Sequence, residues 1–131
     1  MNNGIIMNKG SILSYLTMGS RKNIMLDANL TNERIIQARI KVNYNGRYDG
    51  VQVNAHVYES KGVVRFIEVN GRQESLYRLF ISKDNLAINS NEAVFKAVVE
   101  GKDAERVRLR ASIIQEHKEV DYDYIVLDLH N

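Results

Sequence analysis

Asp103 and the run Glu116-His117-Lys118 come nearest, in type and spacing, to a set of catalytic residues. Two carboxylates ahead of a lysine can hold Mg²⁺ and help activate an attacking water, as metal-dependent nucleases do. Here the residue between Glu116 and Lys118 is a histidine, and Glu116 falls near an expected turn. In a chain with this many charges such a match arises readily by chance. Asp128 and His130 share a strand face, but two ligands at a terminus do not make a metal site. With no cysteine there is no disulfide, thiolate metal site or cysteine nucleophile. The sequence also lacks a Gly-rich phosphate loop, a Gly-x-Ser-x-Gly elbow and a His-Glu-x-x-His pair. No enzyme activity, cofactor or resident metal is expected.

The chemistry left is binding. A net charge of +2 hides an asymmetry: residues 1–83 carry 12 Lys and Arg against 6 Asp and Glu, and residues 84–131 carry 6 against 10. Two halves of opposite sign either attract each other or leave a basic surface for an anionic partner.

The elements that position these charges centre on residues 35–82, which read as four antiparallel strands in a meander. Asn45-Gly46 with Asp49-Gly50, then Lys61-Gly62, then Asn70-Gly71 mark its three turns. Between them apolar and polar residues alternate with the period of a half-buried strand. Hairpin register then sorts the side chains onto two faces. Ala38, Ile40, Val42, Tyr44, Val51, Val53, Ala55, Val57, Val64, Phe66, Tyr77 and Leu79 form the expected core face. The other face carries the candidate binding residues Arg39, Lys41, His56, Tyr58, Arg65, Arg72 and Arg78, mixed with Val63, Ile67, Val69 and Leu76. Arg39, His56 and Arg65 would form one row across three strands. Like charges in a row weaken a sheet, so an anion or an acidic part of the same chain is expected to cover them.

Outside the meander, residues 11–18 suggest a short helix and residues 23–28 a strand. Ser90 reads as the N-cap of a helix ending at Gly101, with Ala93, Val94, Ala97 and Val98 on one face, although Ala93, Phe95, Ala97 and Val99 also alternate as a strand would. Residues 107–113 alternate as a strand, with a helix over 104–118 as competitor, and residues 122–129 read as a final strand. Tyr122 and Tyr124 alternate with Asp121 and Asp123, an acidic, aromatic strand suited to pack on the basic face. The expected fold is a mostly-β (β-rich α+β) single domain over residues 1–131. Its four-strand meander is extended by one or two C-terminal strands and one or two short helices, with residues 1–7 disordered.

No apolar run approaches the roughly 20 residues of a membrane span, and the first residues do not resemble a signal peptide. A cytoplasmic protein without membrane contact is expected. The compact size and a bias to Asn and Ile, 14 and 13 residues, are similar in general style to small phage or mobile-element products. The first functional reading is a non-catalytic inhibitor, adaptor or assembly factor that docks an acidic protein surface on the basic, partly apolar face. The alternative is nucleic acid on the same face, with His56 and Tyr58 stacking on bases. A second copy of the chain is a further candidate to cover it.

Overall fold

The computed structural model describes residues 22–31 and 34–129. Nine strands and one helix follow in the order β1 (Ile24–Leu30), β2 (Ile35–Val42), β3 (Gly50–Val57), β4 (Val63–Val69), β5 (Arg72–Leu76), β6 (Leu79–Ser82), α1 (Lys83–Ile88), β7 (Glu92–Glu100), β8 (Arg106–Gln115) and β9 (Lys118–Asp128). They form two antiparallel sheets, β1-β2-β7-β4-β5 and β6-β3-β8-β9. The sheets face each other across one core that includes Ile36, Ile40, Val51, Val53, Phe66, Phe95, Leu109 and Ile113. The mostly-β fold and a short helix match the sequence reading. The expected residue 11–18 helix, the disordered residues 1–7 and the His130 half of the Asp128–His130 pair lie outside the described residues.

The meander does not survive as one sheet. β2 pairs with β1 and β7, and β3 pairs with β6 and β8. Only the β4–β5 hairpin keeps its expected neighbours, with Val69 opposite Arg72 around Asn70 and Gly71, at φ 49° and 85°. Two successive positive φ values are the type I′ geometry that Asn-Gly favours. A bulge after Phe66 then shifts the register, so Phe66 meets Leu76. The segments 43–49 and 58–62 instead carry the chain from one sheet to the other. Alternation tells which side of a strand is buried, not which strand lies beside it. Hence the core face was sorted correctly at Ala38, Ile40, Val42, Val51, Val53, Val57, Val64, Phe66 and Leu79. Tyr77 is the exception: it is exposed at the β5–β6 corner.

Residues 92–100 form a strand rather than the expected helix. Ala93, Phe95, Ala97 and Val99 point into the core, and β7 lies between β2 and β4 with ladder bonds to both. Burial of the period-2 set outweighs helical propensity. Ser90 and Asn91, at φ 61° and 63°, form the reversal into β7. The helix sits earlier, capped by Ser82, whose hydroxyl accepts from the Asn85 N–H. Lys83, Asp84 and Asn85 open the helix, with Asp84 as the acidic residue of its first turn.

One side of the sandwich is closed by side chains. Asp123 of β9 accepts from the Leu26 backbone N–H of β1 at 2.8 Å and pairs with Lys22 at 3.2 Å, while Asn23 donates to Asp121 at 3.0 Å. Asp121 and Asp123 therefore staple two edges; they do not cover a basic face.

Candidate binding face

The residues picked from sequence are divided between the sheets. Arg39 and Lys41 stand on the outside of β2 and Arg65 on the outside of β4, whereas His56 and Tyr58 belong to the other sheet. Arg39 faces Asp27 and Val94, His56 faces Arg108, and Arg65 faces Val98, so the Arg39–His56–Arg65 row does not exist. Its charges are met within the chain: Glu92 lies 4.0 Å from Arg39 and 3.5 Å from Lys41, and Glu100 lies 3.0 Å from Arg65. Both carboxylates belong to β7, so the acidic C-terminal portion enters the basic half as a strand. Exposed pairs like these contribute only about 0–1 kcal/mol each, but they neutralise that face. Arg72, on β5, and Arg78, between β5 and β6, are both exposed.

The nuclease-like constellation also comes apart. Asp103 precedes β8 and Glu116 follows it, and ten residues of strand separate them by about 30 Å. Among the described residues, no group of three or more His, Asp or Glu is placed to hold a metal.

A different face gathers functional groups. Arg106, Arg108 and Arg110 alternate on the outside of β8, because Val107, Leu109 and Ala111 between them are buried. Register sets His56 and Val126 on either side of Arg108, and Asn54 and Tyr124 on either side of Arg110. Gln52 and Tyr122 flank Ser112 in the same way, and Asp128 lies opposite Arg106. Tyr122, Tyr124 and Val126 are 43%, 52% and 42% exposed. The two tyrosine rings are stacked at 6.4 Å and 27°. Arg110 lies over the Tyr122 ring at 3.7 Å, Arg106 over Tyr58 at 5.1 Å, and His56 meets Tyr58 edge-on at 5.0 Å. Phe80 of β6 extends the row, its ring covering Gly50.

Glu119 holds one corner of this face. It accepts from Arg110 Nη2 at 2.7 Å and Nε at 3.2 Å, and from the buried Ser112 hydroxyl at 2.6 Å. The Arg110 hydrogen bond pulls the Glu119 carboxyl below its ordinary range, against a smaller upward push from desolvation. The same hydrogen bond raises the Arg110 pKa. Among the described residues Arg108 has no such partner, and its Nε–H is buried without an acceptor.

The alternation of Arg106, Arg108 and Arg110 is plain in the sequence, and it marks a strand. What sequence could not show is that β9 pairs with β8 and turns Tyr122 and Tyr124 onto the arginine side.

No protein-family model matches the chain, and no curated protein matches it. Solved structures do. A conjugative transposon lipoprotein from Bacteroides eggerthii is 8% identical, with TM-score 0.48, over 83% of this chain and 98% of its own. A conjugate transposon protein from Bacteroides vulgatus is 6% identical, with TM-score 0.48, over 86% and 90%. The human F-spondin reeler domain is 11% identical, with TM-score 0.40, over 89% and 91%. The first two are mobile-element proteins. The cytoplasmic location expected from the sequence is withdrawn: nothing in the structure carries it, and the first of these neighbours is itself a lipoprotein. Among the described residues no helix is long and apolar enough to cross a membrane.

Proposed function

We propose that the chain is a non-catalytic docking protein whose outer β3–β8–β9 face seats an acidic surface of a protein partner. One observation carries this reading: three arginines interleave with Tyr58, Tyr122 and Tyr124 on one open sheet face. Arg and Tyr dominate interface hot spots, since both offer large contact area together with directed polar groups. Rings on β-strands are already ordered, which lowers the entropy lost on docking. The opposite outer face is less suited: Glu92 and Glu100 pair its cations, and among the described residues the arginine–ring contacts lie on the β3–β8–β9 side.

The test uses the protein that the full chain captures from its native host. Tyr122→Ser/Tyr124→Ser should weaken that complex by about a hundredfold, whereas Gln37→Ser/Val94→Ser on the opposite face should leave it unchanged. Equal affinity for both variants would remove the β3–β8–β9 face from the interaction.

Nucleic acid is the second reading, favoured by the Tyr122–Tyr124 ring stack beside arginines, which has the form of a base platform. Glu119 and Asp128 lie among those arginines and limit the phosphate charge the face can neutralise. Submicromolar single-strand binding that falls steeply with salt, and is lost in the tyrosine pair variant, would reassign the face to nucleic acid.

A further inference from the structure

Within the docking face the three arginines are not equivalent. Arg110 is satisfied by Glu119 and lies on the Tyr122 ring. Arg106 stacks over Tyr58 and has Asp128 opposite it on β9. Arg108 sits between them, with His56 on one neighbouring strand and Val126 on the other. Neither neighbour is an acid, and among the described residues its Nε–H is buried without an acceptor. That Nε–H is out of a partner's reach, but the residue is partly exposed and its terminal Nη groups are not among the buried unpaired atoms, so they are what Arg108 presents to the face. A planar guanidinium in that position matches a carboxylate, which can accept two parallel N–H bonds.

We infer that Arg108 is the anchor of this face and binds a single carboxylate of the partner, an Asp or Glu side chain in an acidic, aromatic-containing segment. His56 stands beside that position as a second donor, and Val126 with Tyr124 supplies the apolar side of the contact. This inference rests on the docking reading above but is separable from it.

The experiment is an NMR titration of the full chain with a short Glu- and Tyr-containing peptide, following the arginine Nε–Hε resonances. The Arg108 resonance should shift most and saturate. R108Q should weaken peptide binding about tenfold or more, and R108K, which keeps charge without the planar fork, should recover only part of it. Unchanged thermal unfolding of both variants checks that the fold is intact. A larger response at Arg106 or Arg110, or R108Q binding as tightly as the parent, would overturn the anchor. So would tighter, Arg108-dependent binding of an oligothymidylate than of the peptide. If the tyrosine pair variant loses the host protein while R108Q keeps it, the docking face stands and the anchor falls. If neither variant affects capture, the docking reading itself falls.

Discussion

At the scale of residues, Glu119 sets how much of the arginine row is open. Its carboxylate is stabilised in the folded state by Arg110 and Ser112, which places its pKa below the ordinary value of 4.5. A depressed carboxyl pKa contributes stability that is complete above the unfolded value and lost as pH falls through the folded one. Thermal unfolding followed downward from about pH 5 should therefore show a steeper decline for the parent chain than for Glu119→Gln. The same substitution releases Arg110, so affinity for an acidic peptide should rise about two- to fivefold in a calorimetric titration. Gly50 makes a second test. A Cβ there would meet the Ile81 carbonyl oxygen and the Phe80 ring. Because the first contact is backbone, Gly50→Ala should cost about 1–3 kcal/mol in chemical denaturation. Sequence showed Gly50 as part of a turn; its packing role became visible only once β3 was paired with β6.

At the scale of elements, local signals were legible and long-range pairings were not. Asn70-Gly71 announced the β4–β5 reversal because a type I′ turn depends on those two residues alone. The alternation in residues 107–113 correctly favoured a strand over a helix. By contrast, residues 93–99 satisfy a helical period through Ala93, Val94 and Ala97 and a strand period through Ala93, Phe95, Ala97 and Val99, and only the slot between β2 and β4 decides for β7. Lys61-Gly62 looked like a hairpin turn, yet the chain there passes between sheets. The β1–β9 contact is an element-scale feature that can be measured. Asp123→Ala removes the acceptor of the Leu26 amide and the partner of Lys22. It should cost about 1–3 kcal/mol, and hydrogen exchange at Leu26 should accelerate while that at Phe66 follows global unfolding. Asp123→Asn keeps an oxygen acceptor and should lose less.

For the whole molecule, the two-sheet arrangement decides where binding chemistry collects. A single meander would set Arg39, His56 and Arg65 in one row; folding into two layers distributes them over opposite outer faces. The charge asymmetry between the two parts of the chain was real, and part of it is resolved internally when β7 carries Glu92 and Glu100 between β2 and β4. What stays open is the β3–β8–β9 face, whose arginines all come from residues 84–131 and whose tyrosines come from both parts of the sequence. The core spans both sheets, so Phe95, 2% exposed and in edge contact with Phe66 at 5.4 Å, should lose about 3–5 kcal/mol as Phe95→Ala in a single unfolding transition. The most direct test of the central claim places a photo-crosslinking amino acid at Asn54 or Tyr124, and separately at Gln37 or Asn29, in the full chain within its native host. Docking on the β3–β8–β9 face predicts one discrete protein adduct from Asn54 and Tyr124 and none from Gln37 and Asn29. Adducts to nucleic acid, or protein adducts confined to the Gln37 and Asn29 side, would contradict it.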